Sequence, residues 1–168
     1  MRNLEAKFPL RDLVQARERA EAIGFAYRAT LVQCDTFFAT QHGKLKLREE
    51  AAAAWLIHYQ RAHDETLQLS NYSIAPVSDP ARTRAILEAA LGFMAQVRKR
   101  RMLMLRDNIR LHLDDVEELG KFGEIEAVVA EDENPEVYRP AVAKILAALG
   151  VARENLLSAS YFELMRRG

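Results

Sequence analysis

The sequence predicts an α+β fold on a mostly antiparallel sheet, with elements in the order β-α-ββββ-α-βββ-α. Three observations carry this. Segments alternating polar and apolar residues are joined in neighbouring pairs by short turns, the pattern of β-hairpins. Only three longer stretches space their apolar residues as helices do, and Gly or Pro bounds each of them. The 168 residues, 49% hydrophobic and 29% charged, fit one domain spanning 1–168, large enough to bury a core without staples.

Residues 3–8 alternate polar and apolar side chains and read as a strand that Pro9 ends. Leu13, Val14, Ala16, Ala20 and Ile23 follow helical spacing, which predicts a helix over 10–23 stopped by Gly24. Tyr27 to Thr40 is rich in Thr, Val, Tyr and Phe and suits a long strand. It turns at Gln41-His42-Gly43 into a strand over 44–48, and a second hairpin joins 54–61 to 68–75 across 62–66. Ser78-Asp79-Pro80 caps a helix that runs to Leu91, with Ile86, Leu87, Ala90 and Leu91 facing inward and Gly92 as its stop. Residues 93–106 and 109–114 form a third hairpin turning at Asp107-Asn108. An acidic turn over 115–119 leads to a strand at about 122–130, then a polar loop. A helix over 136–149 and a short helical tail from Arg153 close the chain.

Composition narrows the function. The 24 basic and 24 acidic residues cancel, which argues against a nucleic-acid or anionic-membrane binder acting through bulk charge. Cys34 is the one cysteine, so no intramolecular disulfide forms, and a small half-apolar filler is its expected role. No apolar run approaches a membrane span, and the N-terminus has no signal-peptide pattern, so the cytoplasm is the expected location.

The distinctive feature is charge sorted by sign on strand faces. Side chains of one parity share a face. Asn3, Glu5 and Lys7 share one, Lys44, Lys46 and Arg48 another, and Arg110, His112 and Asp114 a third. Lys99 lies in register with Arg101, Glu124 with Glu126, and Tyr59 with Arg61. An ordinary soluble sheet with a solvated face would present the same alternation, but it would mix signs within each strand, because like charges side by side are unfavourable. Here one strand offers only cations and another only carboxylates. Turned inward, such faces require compensation: anions for the cations, a hard cation or protons for the carboxylates. A polyphosphate with Mg²⁺ meets both needs.

These residues resemble the CYTH superfamily, which includes class IV adenylyl cyclases, thiamine triphosphatases and inorganic triphosphatases. The N-terminal Glu-x-Glu-x-Lys signature appears as Asn3-Leu4-Glu5-Ala6-Lys7. The segment 43–49, the pairs Tyr59-x-Arg61 and Ser70-x-Tyr72, Lys99-x-Arg101, the strand 110–114 and the segment 119–126 follow in order. The resemblance covers residues 2 to about 165 and implies a tunnel of eight antiparallel strands, open at both ends, with helices packed outside. It implies that Lys7, Lys46, Arg48, Arg61, Lys99, Arg101 and Arg110 hold phosphates. It places Glu5, Asp114, Glu124 and Glu126 on one or two Mg²⁺ or Mn²⁺ ions, with Glu5, Lys7 and Glu126 in the catalytic role. Asn3 departs from the signature, bringing a carbonyl oxygen but no charge. Lys44 belongs at the tunnel mouth or in solvent, and Arg98 and Arg100 point outward. His112 is expected to be a hydrogen-bonding neighbour of the acids. Tyr72 either orients substrate or packs, Trp55, Phe37 and Phe38 pack, and His42, His58 and His63 receive no role.

The implied enzyme is a Mg- or Mn-dependent triphosphatase hydrolysing the terminal phosphoanhydride of ATP, thiamine triphosphate or tripolyphosphate. The alternatives are a class IV adenylyl cyclase making cyclic AMP and pyrophosphate, or a non-catalytic polyphosphate- or nucleotide-binding protein. The expected partner is a small triphosphate, with no nucleic acid or membrane; pairing into a homodimer through an outer edge or helix is left open.

Overall fold

The computed structural model describes residues 1–61 and 67–166. Eight strands, β1 (Arg2–Pro9), β2 (Ala26–Phe38), β3 (Lys44–Glu49), β4 (Ala54–Arg61), β5 (Leu67–Pro76), β6 (Phe93–Arg106), β7 (Ile109–Val116) and β8 (Gly120–Val129), follow the hairpin pattern of the sequence. They close into a barrel in the order β1-β5-β4-β3-β2-β6-β7-β8, and β8 pairs back onto β1. Every pairing is antiparallel. Closure removes sheet edges and gives each strand an inner and an outer face. The β4–β5 turn expected at 62–66, and His63 with it, lie outside the described residues.

The helices are α1 (Leu13–Ala22), α2 (Pro80–Leu91), α3 (Arg139–Ala148) and α4 (Tyr161–Met165). Asp12 caps α1 by accepting from the backbone N–H groups of Val14 and Gln15. Asp79 caps α2 ahead of Pro80. The helix expected over 136–149 is broken: its first turn is a 3₁₀ segment, Pro135–Tyr138, and α3 begins at Arg139. Pro140 has no N–H to give Glu136, and the Glu136 carbonyl accepts from Arg139 in a tighter turn instead.

The main core lies between the barrel wall and α1 and α3. Leu4, Ala6 and Phe8 of β1, Leu111 and Leu113 of β7 and Ile125 of β8 turn outward onto Ala16, Ala20, Val142, Ile145 and Leu146. Gly123 stands opposite Phe8 in this layer, and a Cβ there would lie 2.2 Å from the Phe8 ring. Only glycine fits.

Helix α2 departs from expectation. None of its residues is buried; Ile86 is 57% exposed and Leu91 39%. Arg84 ties it to Glu49 on β3 at 2.9 Å. Helical spacing shows that apolar residues share a stripe, not that anything covers it. Among the described residues no helix is long and apolar enough to cross a membrane.

Candidate active site

Strand parity fixes which side chains meet inside the barrel. Odd residues of β1, β2, β4 and β6 and even residues of β3, β5, β7 and β8 point inward around a cavity of ≈ 300 Å³. That volume suits a small ligand. Glu5, Lys7, Lys46, Arg48, Arg61, Lys99, Arg101, Arg110, Glu124 and Glu126 all line it, together with Tyr72. Arg98 and Arg100, of opposite parity to Lys99 and Arg101, are exposed on the outside.

One half of the cavity is organised by a residue that sequence reasoning passed over. Asp35 of β2 is 2% exposed and accepts from Lys46 at 2.9 Å, Lys99 at 2.7 Å and Arg48 at 2.7 and 2.8 Å. Burial alone would raise its pKa, but Arg48, Lys46 and Lys99 hold it well below the usual carboxylate range. One carboxylate cannot neutralise three cations. Burial, reinforced by Arg48, pushes Lys46 down to about 7. Burial also takes Lys99 down to about 8 against the pull of Asp35. The cluster is short of negative charge.

The other half holds the carboxylates. Lys7 donates to Glu124 at 2.6 Å, and Arg101 reaches the other Glu124 oxygen at 2.8 Å. Burial alone would raise Glu124, yet Lys7 and the cations beside it hold it well below its ordinary value. Arg61 pairs with Glu5, although its Nε makes no well-directed hydrogen bond. Burial nevertheless raises Glu5 to about 7, outweighing Arg61. Glu126 is the least committed: Asn3 donates to it at 3.2 Å, and Arg110 stays 3.7 Å away.

Asp114 is not among the cavity-lining residues. It is fully buried, gripped by both nitrogens of Arg101 at 2.7 and 2.6 Å, and it accepts from the Tyr161 hydroxyl at 2.7 Å. Burial would raise its pKa, but Arg101 holds it down at about 2. His112 faces the acids as expected, but its Nδ1 has no hydrogen-bond partner, lying 3.6 Å from Glu124 and 3.8 Å from Glu126.

Within the tail, Ser160, Tyr161 and Phe162 meet inward-facing side chains of the barrel, whereas Leu156 packs on the outer core. Tyr161 lines the cavity with the Lys7 ammonium 4.0 Å from its ring centre. Phe162 stacks on Phe37 at 5.0 Å, inside a buried cluster with Ile57, Val97, Val116 and Phe122. These apolar side chains pack together inside the barrel beside the charged cavity. Lys44 is bonded to Ser160 at 3.0 Å and Glu163 at 2.8 Å. His42 and His58 meet only in a turn contact, His58 Nε2 to the His42 carbonyl at 2.9 Å. Asp35 could have been found from its parity with Phe37, but a lone acid on an apolar strand carries no motif.

The three donors His112 Nδ1, Glu124 and Glu126 lie within 4.8 Å of one another, and the buried Nδ1 and the Asn3 carbonyl oxygen are both unpartnered. Such a donor set fits a divalent cation.

Comparison with known proteins agrees with this architecture. A candidate adenylate cyclase of Methanocaldococcus jannaschii is 24% identical over 173 residues, spanning 98% of each chain. The PH1012 protein of Pyrococcus horikoshii OT3 superposes with a TM-score of 0.87 at 20% identity, covering 96% of this chain and 98% of that one. The Hippeastrum protein HpAC1, a candidate adenylyl cyclase described as having a dominant triphosphatase activity, gives 0.71 at 18% identity, over 99% and 96% of the two chains. The family model for the CYTH domain matches residues 1–161, the whole barrel and the chain as far as the first residue of α4, and so the chain belongs to the CYTH domain family.

Proposed function

We propose that the barrel binds a triphosphate together with a divalent cation and hydrolyses its terminal phosphoanhydride. The observation that carries this is the charge balance of the interior. Lys7, Lys46, Arg48, Arg61, Lys99, Arg101 and Arg110 face Glu5, Asp35, Asp114, Glu124 and Glu126, leaving two positive charges in excess. A nucleoside triphosphate carrying one divalent ion has a net charge of about −2, which restores neutrality.

In this reading Lys46, Arg48 and Lys99 bind phosphate oxygens, sharing themselves between substrate and Asp35. Arg61 and Arg110 extend the cationic wall. Asp114 acts through Arg101, fixing the guanidinium by a two-pronged contact so that it neither swings nor loses charge. Glu124 and Glu126, with Glu5 across from Glu126 on β1, would hold the divalent ion. When bound, that ion supplies neutralisation of phosphate charge and a more acidic water. Lys7, beside Glu124, neutralises charge on the oxygens of the phosphoryl group under attack, and Glu5 or Glu126 takes the proton of the attacking water.

A second reading, cyclisation of ATP, is favoured by the name of the Methanocaldococcus jannaschii relative. Products separate the two. The chain is incubated with Mg²⁺ or Mn²⁺ and ATP, thiamine triphosphate or tripolyphosphate. Orthophosphate is the expected product. Cyclic AMP with pyrophosphate would replace hydrolysis by cyclisation, and failure to bind any of the three would end both readings.

A further inference from the structure

The β7–β8–β1 corner of the cavity contains an arrangement that phosphate binding leaves unexplained. His112 stands directly across from Glu124, next to the Arg110–Glu126 pair. It is 6% exposed, and its Nδ1 has no hydrogen-bond partner. An imidazole kept as an ion-pair partner would close on one carboxylate to about 2.8 Å. Instead Nδ1 faces the gap between two oxygens, 3.6 Å from Glu124 Oε2 and 3.8 Å from Glu126 Oε1. Both spacings are too long for hydrogen bonds. They are close to the roughly 3.0–3.5 Å that separates neighbouring ligand atoms around one small divalent ion.

Asn3 supplies the second observation. Its amide nitrogen holds Glu126 Oε2 at 3.2 Å, which leaves Glu126 Oε1 facing His112. Its own carbonyl oxygen is buried and unpartnered. Buried polar atoms without partners are rare, and here two of them belong to residues that flank the same carboxylate. Glu124 is already engaged by Lys7 and Arg101, so an ion at this corner gains less from it than from a free carboxylate. A neutral nitrogen donor makes up the coordination without adding charge.

We propose that His112 is itself a metal ligand, joining Glu126 and Glu124 in a mixed nitrogen–oxygen site that prefers Mn²⁺ or Co²⁺ over Mg²⁺. Mg²⁺ takes oxygen ligands almost exclusively, whereas imidazole suits first-row transition ions. This rests on the reading of the barrel as a divalent-ion-dependent triphosphate site and deepens it by naming the ion class and the ligand.

The test titrates the full chain with MnCl₂, CoCl₂ and MgCl₂ by calorimetry. Each titration is run with and without a methylene-bridged inorganic triphosphate, which is not hydrolysed and brings no nitrogen. Pulsed EPR of the Mn²⁺ complex accompanies it. The expected result is binding of Mn²⁺ or Co²⁺ at least about tenfold tighter than Mg²⁺, with nitrogen-14 modulation of the Mn²⁺ signal. In His112→Gln both features disappear while the triphosphate analogue still binds. Should that variant fail to fold, the nitrogen signal of the unaltered protein decides alone. Metal binding without nitrogen coupling, or nitrogen coupling that survives in a folded His112→Gln, overturns the inference and leaves the triphosphate reading standing. Failure of both the analogue and the metals to bind overturns the two together.

Discussion

Three cations on one carboxylate make the empty site sensitive to pH, and the size of the effect follows from Lys46 and Lys99. Burial and neighbouring cations lower them to about 7 and about 8. At pH 8 roughly nine-tenths of Lys46 and half of Lys99 have therefore lost their protons. A triphosphate placed on the cluster supplies the missing negative charge and returns both towards the ordinary lysine value, so binding takes up roughly 1.4 protons at pH 8. Between pH 6 and pH 8 the same equilibria weaken binding about twentyfold, roughly 1.8 kcal/mol. The sign is opposite for the empty fold. Unfolded lysines hold protons that the folded ones lack between about 7 and the ordinary value, so stability of the empty protein rises with pH through that range. Calorimetry in buffers of different ionisation enthalpy counts the protons. Parallel titration of Lys46→Gln cancels the ligand's own ionisation, and that variant is expected to lose roughly 0.9 proton of the uptake. Proton release in the wild type relative to the variant, or equal affinity dependence in both, would refute the charge-deficit argument.

Asp35→Ala leaves three buried cations without their anion and should destabilise the empty protein by about 3–5 kcal/mol, as urea unfolding will show. Inorganic triphosphate should restore most of that loss, and an equal loss with and without it would remove Asp35 from the phosphate cluster. Gly123→Ala drives a methyl into the buried Phe8 ring and should lower stability by about 1–3 kcal/mol without changing substrate affinity; an unchanged melting temperature would contradict the packing. Glu126→Gln should abolish metal-dependent turnover while keeping the melting temperature within a few degrees, and full activity would take Glu126 out of the metal site.

The strands and their antiparallel pairing were legible because the strands keep period-two alternation and hairpins tie neighbours together, whereas closure into a barrel was implied by the CYTH resemblance. Strict sorting of charge on Lys46-Leu47-Arg48 and Glu124-Ile125-Glu126 marked the inner face, since no solvated face needs it. Helix α2 shows where the pattern stops being informative. Its apolar stripe is real, yet Ile86 remains 57% exposed, because periodicity reports which residues share a side and is silent on whether a neighbour lies there. The packing of the tail inside the barrel was also out of reach. Tyr161 and Phe162 sit on a helix of only five residues, too short to show a period, and their place inside the barrel comes from long-range contacts with Asp114 and Phe37.

Asp35 and Asp114 explain why a residue's type and parity do not determine its role in such a site. Both are inward-facing acids on strands, yet neither has an oxygen to spare: each carboxylate is taken up by basic side chains from neighbouring strands. Asp114 and Glu124 together face a single arginine, so Arg101 remains fully cationic, and its pKa is raised well above the usual value despite burial. Asp35 holds three cations with one charge, so its lysines sit close to losing their protons. The first arrangement builds a permanent wall, and the second leaves an electrostatic deficit that an anion must fill. Sequence separates the two only when the partners' register is known, for it is the pairing Asp35↔Arg48 on one side and Gln33↔Lys99 on the other that brings two strands of cations onto one acid. In the proposed reading the phosphates therefore bind where opposite charge falls short, not simply where basic residues are most numerous.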